Sequence, residues 1–426
     1  MHHLSSLAPV ASGERKEVMQ QYPNRSKANH DESVGPDKSA KVGVLYTKDF
    51  VILVWHQLAF AFSFSTFFLL PKFLAANLHA APTAIGIVMA MFGLSAIVAM
   101  PLLGVGIDRV DRRIFLRAGS VLMAVTAFGF LLVDRAGALA AMLRAVQGVA
   151  WFTAFTAGLA LTSDMAPAAR MAEALGVFGV SSIFMNALAP AIAEALADRV
   201  GYGAVFALAG TMAIVAAGLS LRVVESPAAR GARRSGATPF LAVLRRPVTW
   251  MMAPIIGISG VAFGVMFSFS QPFALDSGIH HVSGFFIAYT AGALLVRLGL
   301  ARMVDRVGRH RVGVAALALY GASLVGMYAL TPFRLVLFGG LFGFAHGLFF
   351  PAFNAMVLET TGDHERGTAM TLSNGFFTVG TSSVLGLGFA VERIGYVSVF
   401  RCTAVATMLG AALLTAWPRV VGRSKT

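Results

Sequence analysis

The feature that most constrains this chain is a succession of apolar segments, each about 20 residues long, from Phe50 almost to the C-terminus. About 20 apolar residues in helical form cross the roughly 30 Å of hydrocarbon in a bilayer. Lipid offers the backbone no hydrogen-bonding partners, so helices that satisfy their own peptide groups are favoured. We predict twelve spanning helices, at about 50–71, 83–107, 114–133, 138–161, 172–194, 203–222, 248–271, 284–303, 312–330, 334–358, 367–390 and 398–417.

Composition agrees with a chain that lies mostly in lipid. Of the 426 residues, 57% are hydrophobic and 13% are charged, whereas soluble domains carry about 25% charged residues. The net charge of +14 is spread over short connectors, not over one soluble face, and this argues against a nucleic-acid binder. Cys402 is the only cysteine, so an intrachain disulfide is impossible and a cysteine-based metal site is not expected. We also expect no other metal site and no cofactor. Nucleotide-binding loops and nucleophile elbows are absent from the sequence, and we expect no enzyme.

The basic residues also predict the orientation of the chain. They concentrate in alternate connectors, and the intervening connectors hold only a few, namely Lys72, Arg135, Arg199, Arg334 and Arg393. Connectors rich in arginine and lysine stay on the cytoplasmic side. We therefore predict a multi-pass protein of the inner (plasma) membrane with both termini in the cytoplasm.

The chain reads as two matching halves. The stretch "RVGYGAVF" at 199–206 resembles "RIGYVSVF" at 393–400. We predict an internal duplication, with two six-helix bundles related by a pseudo-two-fold axis along the membrane normal. The predicted divisions are a disordered cytoplasmic tail at 1–49, a first bundle at 50–222, a cytoplasmic linker at 223–247, a second bundle at 248–418 and a cytoplasmic tail at 419–426.

Three motifs give the sequence a family resemblance. "GVGIDRVDRR" at 104–113 follows the second span, "LARMVDRVGRHR" at 300–311 follows the eighth, and "RAVQGVAW" at 144–151 lies in the fourth. Together they resemble the signature of the major facilitator superfamily, and the pattern is similar to its bacterial drug and sugar-efflux branches. The resemblance implies an all-α membrane fold of twelve helices in two bundles, with transport by alternating access.

The resemblance further implies a cytoplasmic charge network that locks the outward-facing state. A glycine at 104 allows close helix approach, and arginines at the helix ends have acidic groups such as Asp164 within reach. The alternative is that these charges set topology only. Asp111 departs from the pattern, which has glycine there. The implied members are Gly104, Asp108, Arg109, Arg112, Arg113, Asp164, Asp305, Arg306 and Arg309.

Ionisable residues inside the membrane are costly and are therefore functional candidates. Arg144 stays charged; it binds an anionic substrate, lowers the pKa of a neighbouring carboxylate or ties helices through carbonyl groups. The resemblance associates it with proton coupling. The middle of the spans holds no carboxylate, so His56, His346 and Glu194 are the candidate proton-binding groups. Each histidine could instead simply hydrogen-bond between helices.

The remaining polar and aromatic candidates predict a substrate cavity without a central negative charge, which favours neutral or anionic organic solutes. They are Trp55, Gln57, Gln147, Trp151, Asn186, Gln271, Asn354 and Asn374. The stretch "FMNALAPAIAEAL" at 184–196 resembles the antiporter motif of the superfamily, which favours export.

The sequence thus predicts a secondary transporter that exports a small organic compound, driven by protons. Two alternatives stay open: a facilitator or importer of an anionic metabolite that uses Arg144 as anchor, and a non-transporting membrane sensor on the same scaffold. The expected partners are a small-molecule substrate, protons and membrane lipid, without nucleic acid, and the expected state is a monomer.

Overall fold

The fold is seen in a computed structural model, which describes residues 44–224, 240–300, 306–362 and 365–423. Within 101–109, 240–241 and 417–423 it describes the backbone alone. Most of the predicted tail at 1–49 and of the predicted linker at 223–247 lies outside these residues, whereas 419–423 of the predicted tail at 419–426 continue the last helix. The predicted domain boundaries stay predictions.

The described chain is helical and contains no β-strand. Eleven helical stretches are long and apolar enough to cross a membrane. The first ten are α1 (Lys48–Ala76), α2 (Pro82–Arg109), α3 (Arg112–Leu132), α4 (Ala138–Met165), α5 (Ala168–Val200), α6 (Tyr202–Ser220), α7 (Pro247–Asp276), α8 (Ser283–Leu300), α9 (Arg309–Ala329) and α10 (Pro332–Glu359).

The eleventh stretch, Arg366–Ala416, contains two crossings. Its backbone is non-helical at Gly395, where φ is 77° and ψ is 162°. Positive φ of this kind suits glycine because it has no Cβ to clash with the backbone. We call the residues before Gly395 α11 (366–394) and those after it α12 (396–423). The described residues therefore form twelve membrane helices, as predicted, and both described ends emerge on one face, here called the terminal face.

Local signals in the sequence fix several helix starts. Thr47 caps α1 by accepting a hydrogen bond from the Phe50 amide, and Thr331 caps α10 in the same way. Proline occupies the first turn of α7 and α10, where its missing N–H leaves no helical hydrogen bond unmade. Capping and proline thus mark the places where the chain enters the membrane.

The duplication predicted from the repeated "GY" stretch is visible in the packing. Gly201, with φ at 102°, separates α5 from α6 as Gly395 separates α11 from α12. The tyrosine that follows each glycine packs on a phenylalanine from the first helix of its own half. The ring centroids are 4.9 Å apart for Tyr202 and Phe73, and 5.5 Å for Tyr396 and Phe273. The two bundles therefore repeat one design.

Close helix approach within each bundle depends on glycine. A Cβ at Gly148 in α4 would lie 2.1 Å from the carbonyl oxygen of Phe92 in α2. A Cβ at Gly343 in α10 would lie 1.9 Å from the carbonyl oxygen of Tyr289 in α8. Small residues permit such backbone contact in membranes, where van der Waals packing holds helices together. The contact at Gly148 also fixes the wall of the central cavity.

Central cavity and the faces that bound it

A cavity of about 550 Å³ lies between the two bundles. Its walls come from α1, α2 and α4 of the first bundle and from α7, α10 and α11 of the second. This volume is in the range of small-molecule binding sites. Ten of the described lining residues are aromatic: Phe64, Phe68, Phe92, Trp151, Phe152, Phe155, Phe263, Phe267, Phe350 and Phe377.

The aromatic wall is built from equivalent positions of the two halves. In α1, Phe64 and Phe68 are four residues apart, and in α7, Phe263 and Phe267 have the same spacing. Side chains at i and i+4 share one face of a helix. Phe68 and Phe267 meet across the bundle interface with ring centroids 5.2 Å apart. Trp151 of α4 stacks on Phe64 at 3.8 Å.

Arg144 is the one charged side chain among the described residues that line the cavity. It is 3% exposed. Its guanidinium lies over the Phe92 ring, 4.6 Å from the centroid, and donates a 3.0 Å hydrogen bond to Oε1 of Gln147. In the described chain no carboxylate lies within ion-pair distance of Arg144, and its Nε has no acceptor.

A second cavity, of about 920 Å³, borders the terminal face between α5 of the first bundle and α8 and α10 of the second. Phe350 lines both cavities. Arg297, in the π-helical turn that ends α8, is exposed in this second cavity. Glu173 also lines it and is held by Arg170 and by the hydroxyl of Tyr46. We call this cavity the terminal cleft.

The opposite face is closed by a carboxylate that joins the bundles. Glu194 of α5 accepts hydrogen bonds from the amides of Val282 and Ser283 at the start of α8, at 2.8 Å and 2.7 Å. A carboxylate is favoured there because the free N–H groups of a helix start carry partial positive charge. Lys72 of α1 pairs with the same carboxylate at 2.6 Å, and both side chains are buried. The first bundle thus caps a helix of the second.

The reciprocal contact is present on the same face. Glu392 of α11 accepts a 2.9 Å hydrogen bond from the amide of Thr83 at the start of α2. The second bundle therefore caps a helix of the first, but here the carboxylate is exposed. Between the two caps, Gln271 of α7 donates a 2.8 Å hydrogen bond to the carbonyl of Phe68.

At the terminal face the structure joins Arg112 of α3 to Asp164 of α4, as the sequence suggested. Arg309 of α9 pairs with Glu359 of α10 at the equivalent place in the second half. Each pair lies within one bundle. Arg306 is exposed beside the second pair. The predicted network members Gly104, Asp108, Arg109 and Asp305 lie where side chains are outside the described residues.

Asp111 accepts the amide hydrogen of Arg113 at 2.9 Å and so caps α3. Its carboxylate also pairs with the Arg113 side chain at 2.5 Å. The matching position in the second half is Gly308, which begins α9 with φ at 94°. The aspartate therefore replaces a glycine turn with a side-chain cap, and Arg112 keeps Asp164.

The candidate proton-binding groups lie in three different places. His56 is fully buried inside the first bundle, 2.9 Å from the Ser120 hydroxyl. His346 is partly exposed behind the cavity wall, 2.6 Å from the Tyr320 hydroxyl and 4.7 Å from the Phe350 ring centroid. Glu194 belongs to the closed face. The structure does not bring the three together.

The candidate cavity residues also separate. Trp151 and Asn374 line the central cavity, and Asn354 lines the terminal cleft. Trp55 is 60% exposed because nine residues separate it from Phe64, which at 100° per residue places it on the opposite side of α1. The other four make hydrogen bonds: Gln57 to Ser182, Asn186 to Ser65, Gln147 to Arg144 and Gln271 to Phe68.

Sequence reasoning missed the aromatic wall, Lys72, Arg297 and Glu392. The paired phenylalanines at spacing four in the first helix of each half are a signal that could have located the wall. The carboxylate caps gave no such signal, because each joins residues that are far apart in sequence.

Comparison with known proteins supports this architecture. A sequence profile described as the Major Facilitator Superfamily matches residues 56–299 and 280–425. The Multi-drug resistance efflux pump PmrA of Streptococcus pneumoniae is 24% identical over 335 residues, which are 75% of this chain and 82% of that protein. The 3-(3-hydroxy-phenyl)propionate transporter of Escherichia coli is 29% identical over 160 residues, 37% of this chain and 38% of that protein.

Solved structures agree at the level of the fold. The nucleoside transporter NupG matches with a TM-score of 0.67 and 16% identity, covering 87% of this chain and 99% of that chain. The family profile covers nearly all of the sequence after residue 55. The chain therefore belongs to the major facilitator superfamily.

Proposed function

We propose that this protein is a secondary active transporter that exports small organic solutes in exchange for protons by alternating access. The observation that carries the proposal is the central cavity, which both bundles line and which cross-bundle contacts close on one face. Two bundles around a midplane site are the arrangement in which rocking exposes that site to each face in turn.

The terminal face is proposed to be cytoplasmic, in the plasma membrane. The positive-inside rule supports this orientation, because the arginine-rich connectors lie on that face. The terminal cleft then makes this an inward-facing conformation. The Glu194 and Glu392 caps are proposed to part when the protein opens outward.

Export is the proposed direction because the relative named as a multi-drug resistance efflux pump matches three quarters of the chain. The relative named as a 3-(3-hydroxy-phenyl)propionate transporter matches 37% of it. The degenerate antiporter motif around Pro190 also favours export. We propose a single chain as the working unit, in contact with lipid.

Of the three candidate proton-binding groups, His346 is proposed to carry the coupling proton. A carrier must be reached from both faces during the cycle. His56 is sealed inside one bundle, and Glu194 is held at the closed face. His346 borders the cavity through Phe350 and Phe263, and its imidazole nitrogens can accept and release a proton.

Proteoliposomes test the proposal with a panel of labelled aromatic and aliphatic solutes. A pH gradient imposed in the export direction is expected to drive net transport of the solute. His346→Gln is expected to abolish the transport that the gradient drives, while exchange of labelled for unlabelled solute without a gradient continues. The matched control is His310→Gln, which changes a histidine outside the cavity wall. Solute movement with no response to the gradient would indicate the facilitator. No solute movement in any condition would indicate the sensor.

A further inference from the structure

We propose that the central cavity binds aromatic organic anions, with the guanidinium of Arg144 holding the anionic group. This inference rests on the proposed transport function and narrows its substrate. Its starting point is an incomplete charge balance. Arg144 is 3% exposed and remains ionised, yet in the described chain no carboxylate pairs with it.

Such an arrangement is costly when the site is empty. A buried ion is stabilised by a counter-ion and by hydrogen bonds to its remaining donors. Among the described residues, Arg144 is contacted by the face of Phe92 and by one amide oxygen, from Gln147. The site lacks a negative charge that a substrate would supply.

Unsatisfied donors indicate where the anion would bind. Nε of Arg144 has no acceptor, and neither has Nε2 of Gln147, three residues along the same helix. The guanidinium can only donate, so Gln147 must present its oxygen to Arg144, and its amide hydrogens remain free. A guanidinium at the cavity wall with a donor that lacks an acceptor suits the oxygens of a carboxylate or a sulfonate.

The rest of the wall favours an aromatic body on that anion. The cavity of about 550 Å³ is large enough for one or two fused rings. Its described lining includes ten aromatic side chains and no acidic one. Ring faces favour stacked or edge contacts with a flat ligand. A cation would meet Arg144 without a compensating carboxylate, and a neutral solute could accept hydrogen bonds from Arg144 but would supply no counter-charge.

The terminal cleft supports the same sign of charge. Arg297 is exposed there and has no carboxylate partner among the described residues. The other charged residues of the cleft wall, Glu173 and Arg309, are each held in ion pairs. An unpaired arginine at the mouth raises the local concentration of anions. We therefore assign Arg297 the role of attracting the substrate towards Arg144.

Binding to detergent-purified full-length protein tests the inference without any transport step. The probes are 2-naphthoate, its neutral analogue 2-naphthamide, its cationic analogue 2-naphthylmethylammonium, and decalin-2-carboxylate, whose two fused rings are saturated and not aromatic. Equilibrium dialysis gives the affinity, and quenching of Trp151 fluorescence reports occupancy of the cavity. We expect the affinity for 2-naphthoate to be roughly tenfold or more higher than the affinity for each of the other three probes.

Substitutions assign the effect to residues. Arg144→Gln is expected to remove the preference for naphthoate over naphthamide, and Arg144→Lys to retain part of it. Trp151→Phe should abolish the fluorescence change while naphthoate still binds in dialysis. Arg297→Gln should slow association at low salt and leave the preference intact. The control is Arg334→Gln, which changes a partly exposed arginine that packs on Tyr328 and does not line the cavity.

The preference among the four probes is measured on the protein without substitutions. It therefore tests the inference even if a variant fails to fold. Equal binding of naphthoate and naphthamide, or stronger binding of the cation, would overturn the inference, as would a preference that survives Arg144→Gln. Anion-selective binding without flux would leave the inference standing and refute the transport function. Proton-driven flux of neutral solutes without anion preference would support the transport function and overturn the inference.

Discussion

At the scale of single residues, Asp111 shows how one substitution changes local chemistry and keeps the fold. The resemblance expects glycine at this position, and the second half retains it as Gly308 with positive φ. Asp111 instead has φ at −56° and uses its carboxylate as the cap of α3. Because it also neutralises Arg113, it does not compete for Arg112.

Asp111→Gly is therefore expected to cost only a few tenths of a kcal/mol, because glycine is itself an acceptable cap residue. Asp111→Ala should cost about 1 kcal/mol. Asp164→Asn should cost more, about 1.5–3 kcal/mol, because it removes the charged partner of a largely buried arginine. Unfolding in detergent gives the ranking. A loss for Asp111→Gly as large as that for Asp164→Asn would mean that Asp111 holds the Arg112 pair together.

At the scale of helices, the wall of the cavity depends on contact between α2 and α4. Gly148→Ala would place a methyl group 2.1 Å from the Phe92 carbonyl oxygen, so the helices must separate. Overpacking of this kind costs about 1–3 kcal/mol. Separation also moves Phe92 away from Arg144, and naphthoate binding should weaken. Gly218→Ala in α6 is the control, since no atom lies within 4 Å of its added Cβ.

The two carboxylate caps differ in burial and should differ in effect. Glu194→Gln leaves Lys72 buried without its counter-ion. The conformation with this face closed should therefore lose about 2 kcal/mol of stability relative to the conformation with it open, which shifts their ratio roughly 30-fold. Glu392→Gln removes an exposed charge and should shift the ratio less than about threefold.

A thiol at the cavity wall reports this shift. Ser268→Cys, placed in a Cys402→Ser background, lies on α7 in the lining. An impermeant thiol reagent applied from the face opposite the termini should label it faster in Glu194→Gln than in Glu392→Gln. Equal labelling in both variants would mean that the buried cap does not hold the face closed.

At the scale of the whole molecule, the sequence predicted the number of helices and the duplication. Hydropathy predicts the membrane-spanning segments because each of them must cross the same thickness of hydrocarbon. It does not determine helix ends, which extend past the lipid: the fifth span, predicted at 172–194, is Ala168–Val200. The extra turn at the end of α5 follows Glu194 and is part of the closed face.

Contacts between bundles could not be predicted in the same way. A span of Phe, Ala and Gly has little amphipathic pattern, so its cavity-facing side is not marked. Trp55 and Trp151 look alike in sequence, yet one lies on the outer surface and the other in the wall. Glu194 and Ser283 are 89 residues apart, and only the packing of α5 against α8 brings them together.

The central claim is that one cavity opens to each face in turn. The most direct measurement uses Asn374→Cys in the Cys402→Ser background, because Asn374 lines the cavity. An impermeant thiol reagent is applied to right-side-out and to inverted membrane vesicles, with and without 2-naphthoate. The account predicts fast labelling from the terminal face, slower labelling from the opposite face, and a change in their ratio when naphthoate is present. Labelling from one face only, in every condition, would contradict it.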